Sequence, residues 1–322
     1  MPPASKSSAT FQSQFHQRWG DLRDPHVRAL AWLLCAPDLL DACDAQWRGR
    51  IASFDDTLLR VDLDAWLHAL DCEPAALHDY LGTRPVVRLG RYAEKLVAFY
   101  LAQQGVLVAH GVQVRSASNQ TIGEFDFLLK LNGRLLHWEF ATKFYLLESS
   151  GNGHDADYFV GPNLADTLGA KMRKIFDRQL KLSEHPAAAA QLPQPVCCAQ
   201  ALVKGWLFYH DGPHYLQAAG TASGHCRGFW LSLAELDRVE GEGYAILPRL
   251  NWLAPASLPV EQVMDKQALQ RTLADYFSRD TMPVMVALLD ATDGMAVESS
   301  RGFVVPDDWQ TRAAYRTKPL SR

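Results

Sequence analysis

Several things are missing from this sequence, and each absence removes a class of function. No run of about 18 apolar residues occurs, the length a membrane-spanning helix needs, so no membrane partner is expected. No CxxC pair occurs either. The six cysteines, Cys35, Cys43, Cys72, Cys197, Cys198 and Cys226, are scattered except for one adjacent pair, which suits neither a zinc knuckle nor an ordinary disulfide. They read as reduced thiols, which places the protein in the cytoplasm. There is no GxSxG nucleophile elbow, and Gly241-Glu-Gly243 lacks a Walker or dinucleotide pattern. Basic residues are not in excess: 32 Lys and Arg against 36 Asp and Glu leave a net charge of −4. A nucleic-acid partner would therefore need a local basic face rather than a global field. The stretch Met1 to Ala9 is polar and Ser-rich, with no apolar segment behind a basic start, so no secretory leader is expected.

What is present is ordinary globular sequence of 322 residues, enough for one large core with additions or for two domains. Residues 1–14 read as a flexible tail and 15–84 as a helical N-terminal part, with helices over Pro25–Leu34, Asp64–Leu70 and after Pro74. Residues 85–210 read as an α/β core and 211–322 as a mixed α+β part. Within the core, Leu89, Tyr92, Ala93, Leu96, Val97 and Tyr100 recur at helical spacing and predict a helix ending near Gly105, with Glu94 at the edge of its apolar stripe. A strand should follow over Val106–Val114. Leu164–Leu182 predicts one helix with Leu168, Met172, Ile175, Phe176 and Gln179 inward, and Val203–Tyr209 a strand. Beyond it, strands are expected near Phe229–Leu233, Tyr244–Leu247, Pro283–Leu289 and Gly302–Val305, with a helix over Glu261–Phe277.

The informative stretch is Gly123–Leu147, two β-rich runs around Asn132-Gly133, a dipeptide that favours a two-residue type I′ hairpin turn. Counting outward from Leu131 opposite Arg134 sets Asp126 opposite Glu139, with Cβ atoms roughly 4.5–5.5 Å apart. Strand alternation then puts Glu124, Asp126, Glu139, Ala141 and Lys143 on one face, and Phe125, Phe127, Trp138, Phe140 and Phe144 on the other. Two facing acids repel. A shared Mg²⁺ or Mn²⁺, or a raised pKa, would offset the repulsion. Paired acids on a solvated hairpin are the bland alternative. On the following helix, Lys171, Lys174, Arg178 and Lys181 fall along one side and could track a phosphate backbone, or simply form a solvated face. Gln179 lies in the apolar face and needs a hydrogen-bond partner there.

Helix with Glu94, strand, strand with Asp126, hairpin, strand with Glu139 and a nearby lysine, then a helix: this order resembles the core of the PD-(D/E)XK nuclease superfamily over about residues 87–210. The phrases Gly123-Glu-Phe-Asp-Phe-Leu-Leu, His137-Trp-Glu-Phe-Ala-Thr-Lys-Phe-Tyr-Leu and Gly161-Pro-Asn are similar to an uncharacterised bacterial family placed within it. The resemblance implies a mixed central sheet in αβββαβ order. It also implies Mg²⁺ (or Mn²⁺) on Asp126 and Glu139, Lys143 as the active-site lysine, Glu94 as an accessory acid, and hydrolysis of nucleic acid, DNA ahead of RNA. The sequence departs from the pattern at one point: the position two residues after Glu139 holds Ala141, and Lys143 stands roughly 6.5–7 Å further along the strand. Lys171 is a second candidate for that role. A non-catalytic nucleic-acid-binding or protein-interaction module of the same fold is the main alternative, and another two-carboxylate hydrolase such as a glycosidase a lesser one.

Overall fold

The computed structural model describes residues 10–54, 62–84, 86–148, 154–210, 217–292 and 294–317. Four helices come first: α1 (Phe11–Trp19), α2 (Pro25–Cys35), α3 (Leu63–Cys72) and α4 (Ala75–Leu81). Thr10, Asp24 and Asp62 cap the first three, each side chain accepting a backbone N–H of the opening turn. Helix α1 begins inside the segment expected to be a flexible tail, because Phe11 packs edge-on against Trp206 of the core; residues 1–9 lie outside the described part.

Then follow α5 (Leu89–Gln103), β1 (Leu107–Arg115), β2 (Thr121–Leu131), β3 (Arg134–Leu147), the short β4 (Phe159–Val160), α6 (Leu168–Asp177), α7 (Pro186–Ala189) and β5 (Val196–His210). The rest is β6 (Cys226–Ser232), β7 (Gly243–Ile246), β8 (Ser257–Pro259), α8 (Lys266–Phe277), β9 (Val284–Thr292), β10 (Met295–Val305) and α9 (Trp309–Thr317). Among the described residues, all the strands belong to one mixed sheet of 10 strands, ordered β1-β2-β3-β5-β6-β10-β9-β7, with β4 on β3 and β8 on β10. The chain is therefore α/β. β3, β5, β6 and β10 run parallel, and antiparallel pairs flank them on both sides. The sheet does not stop near residue 210: β5 pairs directly with β6, which joins the C-terminal strands to the same core.

Alternation along the two central strands sets the layers. Trp138, Phe140, Phe144 and Leu146 of β3, with Leu202, Trp206 and Phe208 of β5, pack under α2 and α5. Ala141, Tyr145 and Leu147, with Ala201, Val203, Leu207 and Tyr209, pack against α6 on the opposite face. Helices on both faces explain why β3 and β5 are apolar nearly throughout.

Two elements differ from expectation. The helix expected over 164–182 ends at Asp177, and a tighter 3-10 turn covers Gln179–Glu184. Leu180 and Leu182 both go into the core, a spacing of two that an α-helix cannot bury on one face. The switch at Arg178 (φ −126°, ψ −59°) breaks the Lys171–Lys174–Arg178–Lys181 stripe into two groups. Helix α9, with Trp309 buried against Trp230, lies where the sequence pattern predicts no element.

Candidate functional site

Asn132 and Gly133 both adopt positive φ (49° and 78°), as a type I′ turn requires. The hairpin register runs from Leu131 opposite Arg134 to Phe127 opposite Trp138, as the dipeptide predicts. One step further, where Asp126 and Glu139 meet, the ladder stops. Asp126 instead turns its carboxylate across the gap and accepts the N–H of Phe140 through Oδ2 at 2.9 Å.

The cause is a matched irregularity in two strands. Pairing between β1 and β2 passes from His110–Phe127 to Val112–Phe125, skipping Gly111 and Asp126. Gly111 takes a positive φ of 63° there, a conformation that favours glycine. The faces of both strands exchange at this point. Phe127 belongs to the α5 side, while Phe125, two residues away, lies with Leu128, Leu182 and Ala188 beneath the 3-10 turn, its ring edge-on to His137 at 4.7 Å. This corrects the expected face assignment: Phe125 changes sides, and Glu124 approaches Arg91 of α5 at 3.6 Å rather than joining the α6 face. Asp126 stands at the crossover, within electrostatic reach of Glu94 on α5 and of Glu139 on β3.

Glu139 is buried, and both its oxygens are engaged. His137 Nε2 lies 2.9 Å from Oε1, and Gln179 Nε2 donates to Oε2 at 2.5 Å. Gln179 Oε1 in turn accepts from Lys171 Nζ at 3.2 Å. Burial drops the His137 pKa to about 4, so its ring is neutral and must carry its proton on Nε2 to serve a carboxylate; among the described residues Nδ1 then has no hydrogen-bond partner. The 3-10 turn thus has a local reason. It aims Gln179 at the acid and satisfies the amide that the sequence placed in an apolar face.

Electrostatics mark the same spot. Burial, followed by the charge of Asp126, pushes Glu94 up to about 7. Burial and Glu139 push Asp126 up to about 7. Glu139 also rises to about 7 through burial, opposed by Lys171 and by its interaction with Asp126, so the two acids titrate as a pair. Burial, with Lys143 and Lys174 nearby, lowers Lys171 to about 8 against the pull of the two acids.

The lysines expected at the site part company. Lys143 keeps the α6 face but leans 3.5 Å from Asp166 and over the Tyr145 ring. Lys171 takes the place beside the carboxylates, with Lys174 also within electrostatic reach of Glu139. Arg178 caps the end of α6, and Lys181 lies around the far side of that helix. His137 was legible only as the residue two before Glu139 on the same face; nothing in the sequence announced its contact.

Two carboxylates, a third within reach and a lysine form a set of hard oxygen donors beside a cation. Among the described residues, no group of three or more His, Cys, Asp or Glu side chains is arranged to hold a metal ion. Asp126 and Glu139 would contribute two positions, and Mg²⁺ usually fills the others with water and substrate oxygens. Among the described residues, no helix is long and apolar enough to cross a membrane.

No curated protein and no solved structure matches the chain. A family described as a domain of unknown function (DUF1853) matches residues 28–305, most of the length and all of the elements that build this site, so the chain belongs to the DUF1853 family.

Proposed function

We propose that the chain is a divalent-cation-dependent nuclease-type phosphodiesterase with a restriction-endonuclease-like αβββαβ core, acting on nucleic acid, DNA first. One observation carries the reading: Asp126 and Glu139 face each other where the β2–β3 ladder opens, with Glu94 on the helix within electrostatic reach of Asp126 and Lys171 tied to Glu139 through Gln179. The site fits Mg²⁺ or Mn²⁺ by its chemistry, since buried Glu139 and half-buried Asp126, both with raised pKa values, gain from a hard cation that restores their charged form. When bound, that ion supplies Lewis-acid polarisation of a phosphoryl oxygen.

The chain's own groups do the rest. Asp126 and Glu139 would hold the ion, and His137 and Gln179 fix the Glu139 carboxylate so that it does not rotate away. Glu94, with a pKa of about 7, can take a proton from an attacking water near neutral pH. Lys171 supplies the positive charge expected two residues after Glu139, where Ala141 stands, and stabilises negative charge developing on the phosphate. Lys174 extends that charge toward the strand.

The rival reading, a non-catalytic nucleic-acid-binding or protein-interaction module, draws on a different observation. Both Glu139 oxygens and Asp126 Oδ2 already have protein donors, as in a proton-sharing pair. Calorimetric titration with Mn²⁺ and Mg²⁺, alongside cleavage of single- and double-stranded DNA and RNA, separates the two. The nuclease reading expects saturable uptake by wild type and none by Asp126→Asn, with cleavage lost in parallel. No uptake by wild type, or cleavage that survives Asp126→Asn, overturns it.

A further inference from the structure

Behind α6, on the flank away from the acids, lies a cavity of about 710 Å³. Its floor is apolar: Leu40, Leu168, Met172 and Phe176 are all buried. Trp47 closes one wall, its ring stacked on Phe176 at 4.5 Å and its Nε1 held by the Gly220 carbonyl. The rim is cationic. Arg48, Arg50, Arg173 and Lys181 line it against Asp155 and Asp177.

The charges do not cancel. Arg173 is spent on Asp157, which it grips with both terminal nitrogens, and Asp155, which caps the 3-10 turn that begins at Ala156, and Asp177 keep their charges, so Arg48, Arg50 and Lys181 face two acids and leave a net positive rim. Arg50 donates only to the Trp47 and Phe176 carbonyls while stacking on the Phe176 ring. Among the described residues, no acid pairs with Arg48, Arg50 or Lys181. Arg48 is held at the mouth by a left-handed backbone (φ 52°), an uncommon conformation for a residue with a long side chain. A cavity of this size with an apolar floor and a few polar groups at one side has the form of a small-molecule site. Uncompensated guanidinium and ammonium groups at the rim select a phosphate.

We propose that this cavity binds a nucleoside monophosphate unit, base against the Met172–Phe176 floor and phosphate at Arg48 and Lys181. The unit can come from a free nucleotide or from the phosphorylated end of a nucleic acid. The Gln179–Glu184 turn joins the two sites: Gln179 reaches the acids and Lys181 the cavity. The inference does not rest on catalysis at the acids.

The test is calorimetric titration of the full chain with AMP, adenosine, inorganic phosphate and a short 5′-phosphorylated oligodeoxynucleotide. Wild type should bind AMP saturably and adenosine or phosphate alone about 10-fold more weakly, as expected when either half of the recognition is missing. The double variant Arg48→Ala/Lys181→Ala, both exposed positions, should lose about 10-fold in AMP affinity. Ala219→Trp, an exposed lining residue enlarged to fill the space, should abolish binding without touching the core. Asp126→Asn should leave AMP affinity unchanged, so a failed cleavage assay and a failed cavity are told apart. Tighter binding of the oligonucleotide assigns the site to a nucleic-acid end, and tighter binding of AMP assigns it to a free nucleotide. No saturable binding of either, equal affinity in the Arg48/Lys181 and Ala219 variants, or loss of AMP binding in Asp126→Asn overturns the proposal.

Discussion

Replacing Asp126 with Asn should stabilise the folded protein at pH 8 and do nothing for it at pH 4. In the folded chain this carboxyl is pushed from its ordinary 3.8 to about 7 by burial and by Glu139. The folded state therefore holds a proton that the unfolded state releases between those values, and stability falls as pH rises through that window. A displacement of that size corresponds to about 4 kcal/mol. Asp126 is only part-buried and shares its shift with Glu139, so about 2 kcal/mol is the working figure. Asn suits the geometry: its carbonyl can still accept the Phe140 N–H, and its amide offers Glu139 a donor in place of a second negative charge. Below pH 4 wild type carries a neutral carboxyl of nearly the same shape, and the two proteins should unfold at the same urea concentration. Unfolding in EDTA at pH 4, 6 and 8, followed by tryptophan fluorescence, should show the Asn variant gaining only in the last two. Adding Mn²⁺ at pH 8 should reverse the order. A ligand at 100 times its Kd stabilises wild type by about 2.7 kcal/mol and leaves the variant unmoved. An Asn variant weaker than wild type at pH 8, or a gain of the same size at pH 4, would refute the buried-pair electrostatics.

The other expectations are narrower. Lys171→Met should lower the cleavage rate about 10²-fold or more, the scale of losing one transition-state charge partner. Lys143→Met should change it by less than about 3-fold, since its half-exposed ion pair lies with Asp166 and not with the carboxylates; equal losses would restore Lys143 to the site. Cleavage should rise with pH as Glu94 ionises, at or below about 7 because a cation on Asp126 offsets part of the rise, and should decline at alkaline pH as Lys171 loses its proton; a rate flat from about pH 5 to 9 would count against both roles. Gln179→Leu leaves one oxygen of buried Glu139 without its donor, at a cost of about 1–3 kcal/mol measured by urea unfolding at pH 8. Arg301→Met should be harsher, about 3–5 kcal/mol, because it strands buried Glu298; the wild-type guanidinium is held by both Glu298 oxygens and by the Trp252 and Ala254 carbonyls.

The parts of this architecture that rest on local rules were legible in the sequence. Asn132-Gly133 needs two left-handed residues and fixes the β2–β3 register within a few positions. The apolar stripe from Leu89 to Tyr100 needs a surface to cover, and that surface is the even-numbered face of β3 and β5. What was not legible is set at long range. No local pattern shows that β5 pairs with β6 and carries the sheet into the C-terminal third, because parallel pairing leaves no turn signal. Helix α9 carries no local signal for a related reason. Its buried residues are Trp309 and Ala313, and Trp309 is held by Trp230 and by the Pro162 carbonyl, contacts supplied by distant segments.

The site itself divides along the same line. Alternation brings Glu139, Ala141 and Lys143 to one face, and the count across the hairpin brings Asp126 to Glu139. Strict alternation fails at Asp126, because Gly111 on the neighbouring strand takes a conformation that lets β1 and β2 exchange faces together. A glycine in a strand announces that freedom but not its use. The same irregularity opens the ladder, frees the Phe140 N–H and turns Asp126 into the gap between helix and sheet. A regular hairpin would have left Asp126 on one face, with Glu94 shut off behind the sheet. The departure from regular pairing is what lets acids from both faces meet. Lys143 on a rigid strand then points past that meeting place, whereas Lys171, in the first turn of α6, is tied to it through Gln179, which the unwinding at Arg178 turns toward Glu139.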